Sequence, residues 1–166
     1  MNYRELFASM HKRPGMYGLD GSFTQFGIFL EGCNTATSGW LLAGFNEWLL
    51  MRLGHESSLS WSALVEWLAF PAYRQLTTES LGDDDDDRYV NEQLVFPPGS
   101  SFSALSDADN ALAVETLFRL LDEFLQVREQ PPGLTTIFSE YVIWMKKHAT
   151  KLSEDDNYYV EAEKYP

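Results

Sequence analysis

Three histidines, one cysteine and 25 carboxylates are the groups in this 166-residue chain that could carry out acid–base, nucleophilic or metal chemistry. A helical metal pair needs a second His or Cys three or four residues away, and none of His11, His55 or His148 has one. His11 and His148 fall near predicted helix C-termini, where an imidazolium is mildly favoured, so a structural role is expected. Cys33 could be a nucleophile only with a distant histidine as base. A buried structural thiol is the expectation, and a lone cysteine supports neither an internal disulfide nor a multi-cysteine zinc site. The carboxylates are too numerous to single out an acid–base pair, so no catalytic residue, metal or cofactor is expected. One polar run is distinctive: Asp83, Asp84, Asp85, Asp86 and Asp87. Adjacent like charges oppose a compact helix, and an extended loop is predicted there. The run lacks the alternating ligands and closing glutamate of a calcium loop.

Lys plus Arg is 12 against 25 Asp plus Glu, a formal charge of −13. Acid excess of this size argues against phosphate backbones and anionic membrane surfaces, because both need a basic footprint. It suits a basic protein partner. With 45% hydrophobic and 14% aromatic residues the chain can bury a core, and its length fits one domain over 1–166. The first residues carry no signal-like apolar run, since Glu5 would interrupt it. The most apolar window, Trp40 to Met51, is split by Asn46 and Glu47, well short of the roughly 18 to 20 residues needed for a bilayer span. A cytoplasmic protein is expected.

The elements that must position these groups read as helical almost throughout. Tyr3, Leu6, Phe7 and Met10 recur with helical spacing, predicting a helix over 2–11. Pro14-Gly15 and Gly18 force a loop, after which Ser22 caps a helix carrying Phe23, Phe26, Phe29 and Leu30. A third helix is predicted from Gly39 to Leu53, capped by Gly54, and a fourth opens at Ser60. Pro71 either ends that fourth helix or starts a continuation to Leu81. Residues 82–105 read as a long acidic and proline-rich loop with room for one short strand. Ser106 caps the clearest helix, with Leu112, Leu117, Leu120, Leu121, Phe124 and Leu125 on its apolar side. Pro131-Pro132 open a last helix carrying Leu134, Ile137, Phe138, Tyr141, Val142 and Met145. Residues 152–166 form an acidic tail. The expected fold is an all-α, single-domain bundle of five to seven helices.

Acid mixed with tyrosine occurs twice, which suggests surfaces that face a basic partner. Tyr89 follows the aspartate run, and Glu154, Asp155 and Asp156 precede Tyr158 and Tyr159. These segments are the candidate partner-binding residues. Of the five tryptophans, Trp61 and Trp67 are six apart and cannot share one helix face, so one of them is expected at the surface as an interface anchor.

Two resemblances bear on function. Lys12-Arg13-Pro14-Gly15-Met16-Tyr17-Gly18 resembles the opening of the gyrase and heat-shock type of ATPase domain. That chemistry also needs a helical Glu-x-x-x-Asn and a downstream Asp-Gly-x-Gly. The only Asp-Gly, Asp20-Gly21, continues as Ser22-Phe23, so the string reads as a structured turn. Arg13 to Tyr17, Gly39 to Leu49 and Ala69-Phe70-Pro71 together resemble bacterial immunity proteins of contact-dependent growth inhibition and polymorphic toxin systems. The resemblance covers about the first 70 residues. It implies a non-enzymatic inhibitor, without cofactor, that binds the basic C-terminal domain of a toxin 1:1, a nuclease and first of all a ribonuclease. Nucleic acid and membrane are not expected partners. The alternative is an acidic adaptor or regulatory domain with no toxin.

Overall fold

The computed structural model describes residues 2–80, 88–94 and 105–153. Six α-helices carry the core in an all-α bundle: α1 (Tyr3–Lys12), α2 (Phe23–Ala36), α3 (Phe45–Leu53), α4 (Trp61–Ala69), α5 (Asp107–Glu129) and α6 (Leu134–Ser153). Side-chain caps set three of the starts. Asn2 accepts from the Glu5 amide, Ser22 from the Gln25 amide and Ser106 from the Asp109 amide. Each satisfies an amide that the first helical turn leaves without a partner. Ser60 precedes α4 as expected, but its hydroxyl faces that of Ser62 at 3.0 Å and does not cap the helix.

The long helix α5 is the axis of the bundle, packing against α1, α2 and α4, while α3 packs between α4 and α6. Phe26, Leu30, Phe45, Leu49, Leu64, Leu117, Leu121, Phe124 and Ile137 are buried in one continuous core. The ring of Phe45 lies 4.8 Å from that of Phe124, tying α3 to α5. Asn110, on the first turn of α5, accepts from the Phe23 amide at 2.8 Å and donates to the Gly21 carbonyl at 3.3 Å. A side chain from α5 thereby satisfies the N-terminus of α2.

The expected third helix is shorter than its apolar pattern. Residues 37–44 form turns, with Ser38, Gly39 and Gly44 at φ of 55°, 78° and 82°. These left-handed residues cannot continue a right-handed helix, so α3 begins at Phe45. Gly44 also lets α6 approach closely: a Cβ there would come within 3.2 Å of Leu134 and 3.3 Å of Ile137. On α6, Ile137 is buried and Leu134, Tyr141 and Trp144 pack against the core, whereas Phe138 and Val142 point outward with Ile143. Leu112 on α5 is likewise exposed. The expected apolar faces were drawn too wide in both helices. The last helix starts at Leu134, after the turn through Pro131, Pro132 and Gly133, not at the prolines.

After α4, the first of the two alternatives at Pro71 holds: the helix ends at Ala69. Pro71–Tyr73 forms a single 3-10 turn, and the chain continues as strand β1 (Arg74–Ser80), not as a helix to Leu81. Strand β2 (Arg88–Leu94) pairs with it antiparallel, from Arg74 opposite Leu94 to Ser80 opposite Arg88. Within 82–105, the one short strand for which the sequence left room is β2, at residues 88–94. Thr77 and Thr78 in β1, and Tyr89 and Val90 in β2, have the β-branched or aromatic side chains that favour extended backbone. A seven-residue partner decided the matter, and single-strand propensity could not show it.

Candidate binding site

Most of the sequence-predicted contact residues, Asp83 to Asp87 with Glu154, Asp155, Asp156, Tyr158 and Tyr159, lie outside the described residues. Tyr89 sits on β2 opposite Glu79. In the sequence, residues 81–87 fall between the two paired strands.

The groups singled out for chemistry are structural in their surroundings. His11 stacks on Phe118 at 4.2 Å between centroids, with its Nε2 3.6 Å from a Glu115 oxygen. His55 meets the Trp67 ring edge-on at 5.9 Å. The ring nitrogens of His148 lie 3.0 Å from the Trp144 carbonyl and 3.1 Å from that of Gly54, joining α6 to the end of α3. Cys33 packs against the core, and burial pushes its thiol up, away from the reactive thiolate. Among the described residues, no group of three or more His, Cys, Asp or Glu side chains is placed to hold a metal ion. The string Pro14–Tyr17 is a 3-10 turn closed by Gly18 at φ 73°.

Charged groups on the α1–α5 face pair with one another. Arg4 donates to both carboxylate oxygens of Asp122, at 2.7 and 3.1 Å, and holds that carboxyl below its ordinary range. Glu123 of α5 receives Arg119 from its own helix at 3.0 Å and Arg52 from α3 at 2.9 Å.

The corner where α5 turns into α6 is built differently. A cavity of about 610 Å³ opens there, between that corner, the start of α1 and the turn that links α2 to α3. Tyr3, Trp40, Leu125, Arg128, Pro131 and Leu134 are among its walls. The α2–α3 turn is pinned from below. Thr37 Oγ1 accepts from the Leu41 amide at 3.1 Å, Asn34 Oδ1 accepts from the Leu42 amide at 3.0 Å, and the Gly39 amide donates to the Asn34 carbonyl. This leaves Trp40 64% exposed on a fixed backbone. The exposed tryptophan expected from Trp61 or Trp67 is instead Trp40. Trp67 is buried, and Trp61 is half-buried with its indole N–H donating to Glu31.

Arg128 lies across the cavity with its guanidinium 5.3 Å from the Trp40 ring centre, and it donates to the Leu41 carbonyl. Burial lowers its pKa, with Glu129 and Tyr3 acting in the opposite sense. It makes no ion pair with a carboxylate among the described residues. Nothing in the local sequence singles out Arg128. Its position in the last turn of α5 is ordinary, and the cavity depends on residues nearly 90 positions away. No family model, curated protein or solved structure matches the chain.

Proposed function

We propose that this chain is an immunity-type inhibitor that binds the basic catalytic domain of a toxin 1:1 and covers its active site, acting by binding and not by catalysis. The observation that carries this reading is the run Asp83 to Asp87, set between two paired strands in a chain of charge −13. A nuclease active site is a positively charged cleft shaped for phosphates. Five adjacent carboxylates match the charge of such a substrate, and Tyr89 beside them adds a contact surface with little conformational freedom to lose. The acid-and-tyrosine stretch from Glu154 to Tyr159 would widen the contact. Steering between opposite charges speeds encounter, which matters for an inhibitor that must act before its target does. Such an inhibitor would work in the cytoplasm, and no described helix is long and apolar enough to cross a membrane.

The test is co-purification of the chain with the protein encoded immediately upstream, followed by rescue of cells that express that protein's C-terminal domain. Binding and rescue are expected. Replacing Asp83 to Asp87 together by Asn should then slow association several-fold, with a larger effect at low salt. A toxin complex formed with unchanged kinetics would reduce the run to a linker. No complex at all would leave the acidic adaptor as the reading to pursue.

A further inference from the structure

Beyond inhibition, we infer that the cavity at the α5–α6 corner is a binding site for a carboxylate carried on an apolar or aromatic body, held by Arg128 and Trp40. Four observations converge on it. The cavity, about 610 Å³, falls within the roughly 300–1,000 Å³ of small-molecule sites. Its walls include apolar and aromatic side chains, among them Tyr3, Trp40, Leu125 and Leu134, and these would take the ligand's body. Arg128 is its cation, half-buried and without a carboxylate partner among the described residues, in a chain where acids outnumber bases 25 to 12. Arg4 of α1, Arg52 of α3 and Arg119 of α5 each meet a carboxylate. A guanidinium can give a carboxylate two parallel hydrogen bonds while its charge rests against an indole face.

Two features restrict the charge of the ligand. The Leu41 carbonyl occupies one of the guanidinium's donors, leaving the others for an anion. Glu129 also lines the cavity, so a second negative charge would meet repulsion. A single carboxylate fits better than a phosphate dianion. The pinned turn under Trp40 keeps the aromatic wall in place before a ligand arrives, which lowers the ordering cost of binding.

A free small acid and the C-terminal carboxylate of a peptide present the same chemistry, so both are probed. The full chain, labelled with nitrogen-15, is titrated with 3-phenylpropionate and its amide, and with the tripeptide Gly-Gly-Phe bearing a free or an amidated C-terminus. At least one acid should shift the Trp40 indole and the backbone amides of 128–135, at least tenfold more tightly than its amide. Saturation by the small acid alone points to a free metabolite, and saturation by the free-ended tripeptide points to a chain end. Arg128→Lys keeps the charge but loses the planar fork, and should weaken binding tenfold or more. Trp40→Ala, at an exposed position where folding does not depend on the ring, should weaken it at least fivefold. Equal binding of acid and amide, shifts that map away from this corner, or no shift at 10 mM of either acid would overturn the assignment.

Discussion

The α1–α5 face and the α5–α6 corner treat arginine in opposite ways. On the face, Arg4 and Arg119 each reach a carboxylate within 3.0 Å, as does Arg52 from neighbouring α3, in partly exposed positions where water screens what remains. At the corner Arg128 lies against Trp40 and the Leu41 carbonyl, with no carboxylate among the described residues to meet it. A paired surface arginine is settled and contributes little to stability. A half-buried arginine with donors left over is available to a ligand. Glu66 on α4 resembles Arg128 with the sign reversed. It is only 8% exposed, and burial raises its carboxyl to about 7. Position in the bundle, more than residue type, separates charges that hold the surface together from charges that the fold sets aside.

The strongest way to break the contrast is to deform the corner itself. Gly133 sits at φ 53°, and a Cβ there would overlap the Arg128 carbonyl oxygen. Gly133→Ala should cost about 2–4 kcal/mol in urea unfolding, from left-handed strain plus that clash. Gly15→Ala, where an added Cβ meets open space, is the matched control and should change little.

Glu66 sharpens the comparison through pH. Its carboxyl keeps a proton in the folded chain up to about pH 7, whereas the ordinary value is 4.5. The folded state therefore binds more protons across that window, and stability falls as pH rises from 4.5 to 7. Glu66→Gln should raise stability at pH 8 by about 2 kcal/mol, with the two proteins converging near pH 4. Equal stabilities at pH 8 would mean that the carboxylate reaches water without penalty.

The smallest effect belongs to the α1–α5 face. Arg4→Gln should shift the thermal midpoint less than either change above, and less still at high salt. Asp122, held low by Arg4, contributes stability that is present above its ordinary carboxylate range and lost as pH falls below it. A larger loss from Arg4→Gln than from Gly133→Ala would reverse the order of the two regions.

Much of the bundle could be read from local chemistry. Caps at Ser22 and Ser106, the left-handed stop at Gly54 and the α5 stripe from Leu117 to Leu125 act within a few residues of their own positions, and each stands where its spacing required. The strands were harder, because Arg74–Ser80 becomes a strand through its pairing with Arg88–Leu94 and not through its own pattern. The exposed tryptophan was misassigned for a related reason. Helical spacing separates Trp61 from Trp67, but the exposure of Trp40 follows from Asn34 and Thr37 holding its turn off the helical path.

The sequence by itself determined the helical class, most helix ends, the acid excess and the adjacency of the five aspartates. All of these depend on neighbours along the chain or on totals over it. Only the tertiary structure decided which charges are paired and which are buried. The site at Arg128 needs the Leu41 carbonyl, the Trp40 ring and the Pro131 turn to meet in space. That meeting depends on how α1, α5 and α6 pack around one core, and no local spacing records it.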